Sequence, residues 1–195
     1  MAWRVCPATL NTMPQIETAR LLLRTYTPQD LDELAAILSN PEVMRYSPRG
    51  PIPKDQIKEV TQKTLQFFIK HWQQHGFGVW AVVEKATAEL IGHCGLNFLP
   101  NSPEVEVLYR LDKAYWNQGI ASEAAKASLR YGFEQVKLDR IVAITAPEHI
   151  ASRRVMEKCG LKYEKNAQFY NLDVVYYALA RSEWRSDDSL YISQS

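Results

Sequence analysis

Gly119 restricts the fold of this chain more than any other residue. It follows an alternating strand candidate at residues 104–111 and opens a helix whose inner face begins with Ala121, Ala124 and Ala125. The run at 115–125 reads YWNQGIASEAA. A glycine turn entering a helix leaves the first backbone N–H groups without intrahelical partners. Those donors, with the positive end of the helix dipole, suit phosphate oxygens. Strand, turn and helix must therefore be consecutive, with the helix N-terminus open to a phosphate-bearing ligand. Gly119 taken alone is equally compatible with a bare strand-to-helix turn.

The remaining composition narrows the classes. Charge is nearly balanced, 23 basic against 22 acidic residues, so no overall field draws the chain to nucleic acid or to a membrane surface. No basic run alternates with aromatics, and no apolar run is long enough to span a bilayer. Residues 1–14 lack the continuous apolar core of a signal peptide and read as an extension, with Met13 as an alternative start. Three scattered cysteines, Cys6, Cys94 and Cys159, argue for a reducing, cytoplasmic setting and against a disulfide framework or a cysteine zinc site.

Periodicity predicts a strand at 20–26 and a helix from Thr27, with Pro28 in its first turn and Asp30 completing an acidic capping box. Asn40-Pro41 ends that helix, and 44–53 is a proline-rich loop. A second helix buries Ile57, Val60, Leu65, Phe68 and Trp72 and stops at Gly76. Strands follow at 79–84, 90–99 and 104–111, then the glycine turn and its helix. A strand at 141–146, a helix from about Ile150 to Gly160, and a strand at 172–180 complete the order. The reading is one domain over 15–185 and a loose tail over 186–195.

This order resembles the GNAT (Gcn5-related) N-acetyltransferase superfamily, and is most similar to its RimJ/RimL-like branch. Four blocks carry the resemblance: residues 17–24 (ETARLLLR), 106–109 (EVLY), 116–125 (WNQGIASEAA) and 151–160 (ASRRVMEKCG). It implies an α+β (mixed α/β) GNAT fold, with a central, mostly antiparallel, twisted sheet of about six or seven strands flanked by about four helices. It also implies acetyl-CoA as co-substrate, no metal, and an amine acceptor: a protein N-terminal α-amine or a small molecule. Departures are Asn117 for a common Gly, Leu108 for Gly, His149 for Asn, and Met156 where many members have a tyrosine general acid. Asn tolerates positive φ better than other non-glycine residues, so the turn can survive.

By this resemblance Gln118, Gly119, Ile120, Ala121 and Ser122 hold the pyrophosphate, and Trp116 and Asn117 shape the turn. The backbone of Tyr109, Arg110 and Leu111 pairs with the pantetheine arm, and His149 and Ser152 approach the cofactor. An amine nucleophile must shed a proton, since lysine amines titrate near ~10.4 and α-amines near ~8. Glu106 is the candidate base, Glu104 the alternate on the same face, and either could instead be an ordinary strand carboxylate. Ser152 is the candidate donor to the departing thiolate, or simply a first-turn hydroxyl. His71 and His75, four apart, lack a zinc-hydrolase motif and read as a solvated helix end. The acceptor is expected against the loop 44–53, the second helix and Trp80 or Phe98, with Arg45 and Arg49 nearby. The alternative function is an acyl-CoA-binding sensor or scaffold of weak activity. A monomer or homodimer is expected, without nucleic acid or membrane.

Overall fold

Short apolar stretches broken by turn residues build one sheet, and two amphipathic helices plus the helix after Gly119 cover it. The structure, a computed structural model, describes residues 14–186. The strands are β1 (Ile16–Glu17), β2 (Leu21–Arg24), β3 (Val79–Glu84), β4 (Leu90–Phe98), β5 (Val105–Leu111), β6 (Arg140–Thr145), β7 (Lys162–Phe169) and β8 (Leu172–Ala180). The helices are α1 (Leu31–Ser39), α2 (Pro41–Met44), α3 (Ile57–His75), α4 (Ile120–Glu134) and α5 (Ile150–Lys158). The eight strands run in the order β1-β2-β3-β4-β5-β6-β8-β7. That exceeds the expected six or seven, and α2 adds a fifth, single-turn helix to the expected four. No described helix is long and apolar enough to cross a membrane.

Two apolar layers sandwich the sheet. On one face α4 and α5 pack on Cys94, Leu96, Val107, Ile141 and Ala143. On the other, α1 and α3 pack on Val79, Ala81 and Val83. Strand β3 is thus covered on both sides, which explains its continuous rather than alternating apolar sequence. α4 lies close on the sheet because Gly132 has no side chain: a Cβ there would sit 2.6 Å from Ile141 Cδ1.

Two strands escaped the sequence reading. β1 is a two-residue pairing on β2. β7 is almost wholly exposed along KYEKNAQF, so it carries no hydrophobic period; its antiparallel pairing with β8 holds it in place. The end of the first predicted helix divides: Asn40 breaks α1, and its side chain then accepts from the Glu42 N–H to cap α2.

One pairing positions everything that follows. All neighbouring strands are antiparallel except β5 and β6, which are parallel and paired at a single position, Glu106 with Val142. Beyond Glu106 the two strands part, leaving one backbone edge of residues 107–111 unpaired.

Candidate active site

The glycine turn closes off the α4 face of the fork between β5 and β6. Asn117 and Gly119 both adopt left-handed backbone, with φ of 61° and 79°. The substitution of Asn for Gly at 117 therefore preserves the turn, because Asn is among the few side chains that tolerate this region. Trp116 Nε1 donates to Leu111 O at 3.0 Å and Gln118 Nε2 to Ala114 O at 2.8 Å, tying the turn to the end of β5. The first intrahelical bond of α4 runs from Glu123 N–H to Gly119 O at 3.0 Å. The N–H groups of Ile120, Ala121 and Ser122 lie ahead of it at the positive end of a 15-residue helix.

A brace behind this turn was not anticipated from the sequence. Glu123, in the first turn of α4 and 5% exposed, accepts from Thr18 Oγ1 at 2.6 Å, from the Arg20 N–H at 3.0 Å and from Arg20 Nε at 2.8 Å. Arg20 also donates from Nη1 to Gln118 O at 3.0 Å. These bonds hold the Glu123 carboxyl below its usual range against the opposing effect of burial. Acid in the first helical turn was a visible signal, but its partner lies 103 residues away.

Alternation along β5 divides the other predicted residues between two faces. Tyr109 points with its cross-strand partner Cys94 toward α4 and α5, whereas Glu106 and Arg110 point with Asn97 and His93 toward α1 and α3. The Tyr109 hydroxyl reaches across the fork to α5, where it donates to Ser152 O at 2.9 Å and lies 2.9 Å from Ser152 Oγ. With its one proton on the carbonyl, the phenol oxygen accepts from the Ser152 hydroxyl. Burial pushes the phenol above its ordinary range. His149, the N-cap of α5, places Nδ1 3.1 Å from Thr145 Oγ1, and its ring stacks on Tyr46 at 4.1 Å. Burial lowers its pKa.

Glu106 stands at the vertex of the fork, 6% exposed, and burial raises its carboxyl to about 8. Glu104 is bonded elsewhere: its carboxylate accepts from Tyr176 Oη at 2.5 Å and lies 3.9 Å from Arg140. Cys94 and Cys159 are buried, each thiol pushed up to about 12.

On the α3 side a groove of about 530 Å³ runs between α3, the end of β4 and Tyr170 at the β7–β8 turn. Two expectations need correction here. His71 is buried among Phe67, Phe77 and Phe98 rather than solvated, since residue 71 falls on the apolar stripe three positions after Phe68. Trp80 is fully buried against Trp72 and cannot touch a ligand, whereas Phe98 does line the groove.

Comparison with known proteins agrees with this architecture. The acetyltransferase (GNAT) domain family matches residues 20–162. The N-acetyltransferase YnaD of Bacillus subtilis is 31% identical over 177 residues, covering 87% of this chain and 98% of that protein. The structure of a GNAT-family acetyltransferase from Bacillus anthracis superposes with a TM-score of 0.72 at 30% identity, over 87% of this chain and all of the other. RimL, the ribosomal L7/L12 α-N-acetyltransferase solved with coenzyme A, shares the fold at a TM-score of 0.70 and 20% identity, over 86% of this chain and 98% of that one. The chain belongs to the GNAT acetyltransferase family. It is an acetyltransferase.

Proposed function

We propose that the protein transfers the acetyl group of acetyl-CoA to a primary amine by direct attack within a ternary complex. The observation that carries this reading is the fork: a free strand edge on β5, an N–H-lined turn on one face, and a buried carboxyl at the vertex. These features suit the cofactor's chemistry. The N–H groups of Ile120, Ala121 and Ser122 would hold its pyrophosphate, and the edge at 107–111 its amide-bearing arm. Bound acetyl-CoA supplies an activated thioester.

The residues of the chain supply the proton transfers. Glu106, with a carboxyl poised near 8, takes the proton that the amine nitrogen sheds in attacking the thioester, because a base works best with a pKa close to the working pH. Ser152 can turn its hydroxyl proton from Tyr109 toward a departing thiolate, and Tyr109 can replace it through the 2.9 Å contact. That pair fills the role for which Met156 has no proton. Cys94 and Cys159, buried with raised pKa values, support direct transfer over an acyl-cysteine route. Acetyl transfer to a panel of N-terminal peptides and small amines tests the reading. Glu106→Gln is expected to lower kcat about 100-fold, and Ser152→Ala about 10-fold, with acetyl-CoA affinity retained. Tight acetyl-CoA binding with no turnover on any amine would instead mark a sensor or scaffold. Failure to bind acetyl-CoA would sink both readings.

A further inference from the structure

The groove on the α3 face carries features that proton transfer alone does not need. Phe67 and Tyr170 line it at 50% and 44% exposure, with Phe98 between α3 and the end of β4. His71 Nδ1 lies 2.9 Å from Phe77 O. A carbonyl only accepts, so Nδ1 carries the proton and Nε2 is a lone-pair acceptor. That Nε2 is buried and has no hydrogen-bond partner. Leaving such an atom unpaired costs about 1–3 kcal/mol.

Charge along the groove is one-sided. Glu106 adjoins its inner end, where it pairs across the strands with the lining residue Asn97. No carboxylate is among the lining residues, and Lys70 and His75 are. One ammonium is therefore accommodated at the Glu106 end, where the ionised carboxylate neutralises it, over aromatic faces that attract cations. A second ammonium farther along would meet Lys70 with nothing to neutralise it.

We propose that this groove is the acceptor site, and that it selects a primary monoamine carried on a flat apolar body, as in an arylalkylamine, while rejecting diamines and polyamines. The proposal rests on the amine-acetylation reading above. Kinetics with 2-phenylethylamine, 1,4-diaminobutane, spermidine and a short N-terminal peptide test it. The expected kcat/KM for 2-phenylethylamine exceeds that for either polyamine by about tenfold or more, a difference worth ~1.4 kcal/mol. Phe67→Ala should raise its KM about fivefold with kcat little changed, the mark of lost ground-state binding. Lys70→Glu, at an exposed position that tolerates exchange, should narrow the aryl-over-diamine ratio about fivefold or more. Preference for a polyamine or the peptide, or a ratio unmoved by Lys70→Glu, overturns the proposal. Calorimetry with 2-phenylethylamine alone separates the two readings. Binding that Phe67→Ala weakens, without turnover of any amine, keeps the groove and defeats the transfer reading. Absence of binding and turnover with 2-phenylethylamine, while acetyl-CoA binds, defeats the groove.

Discussion

On the α4 face of the fork the chain commits its backbone; on the α3 face it commits side chains. The turn at 116–122 offers N–H groups whose placement depends on two left-handed residues and on the Arg20–Glu123 brace. The groove offers aromatic rings and the Lys70 ammonium. A backbone site of this kind survives extensive side-chain change, as Asn117 illustrates. A side-chain site is rewritten by single substitutions. One half is suited to a ligand shared across a family, the other to a ligand peculiar to one member.

The largest expected effect lies where the halves meet. The kcat/KM for a monoamine should climb about tenfold per pH unit below pH 8 and lose its inflection near 8 in Glu106→Gln. The same carboxyl links stability to pH with a definite sign. Its folded pKa of about 8 lies above its ordinary 4.5, so the folded state holds the extra proton between those values. Stability contributed by Glu106 therefore falls as pH rises from 4.5 to 8. Urea unfolding at pH 5 and pH 8.5 should show that slope in the native protein and a shallower one in Glu106→Gln.

Next in size is Gly119→Val. A β-branched residue at φ 79° is strained by more than the ~1–2 kcal/mol of an ordinary left-handed residue. Acetyl-CoA affinity measured calorimetrically should drop at least about tenfold, while arylalkylamine binding to the groove is kept. Loss of both together would break the division between the faces. Arg20→Ala should follow, lowering stability by about 1–2 kcal/mol and weakening acetyl-CoA several-fold. The loss stays below the ~3–5 kcal/mol of a fully buried pair because the Arg20 side chain is 46% exposed. Smallest is Asn117→Gly, expected to change acetyl-CoA affinity by less than about threefold, since both residues accept φ 61°. A large loss there would show that the Asn117 side chain itself binds ligand.

Much of the strand–turn–helix half was legible in the chain because its signals are local. Strand alternation at 105–111, the glycine turn and the small residues of α4 lie within 30 residues, and each has its own period or backbone requirement. β3 and β8 were placed with the bounds observed, Val79–Glu84 and Leu172–Ala180. What escaped was non-local or unpatterned. Arg20, in the turn before β2, meets Glu123 only once the sheet and α4 have assembled. β7 is a strand because β8 pairs with it, although Lys162, Glu164 and Asn166 show no buried face. The burial of His71 was readable from its distance to Phe68, but its polarity masked the period. Trp80 was among the expected acceptor contacts, and only its packing against Trp72 of α3 shows that it is core.

The lone rung between β5 and β6 has a thermodynamic corollary. Residues 107–110 have no strand partner on the edge facing β6, so a single rung at Glu106 and Val142 joins the two halves of the eight-stranded sheet. A ligand that enters as a ninth strand would act as mortar as well as substrate. At a hundred times its dissociation constant it would add ~2.7 kcal/mol to folding stability through mass action alone. Saturation would then be readable as protection of the 107–111 amides from hydrogen exchange, with the strength of the fold following the supply of its own substrate.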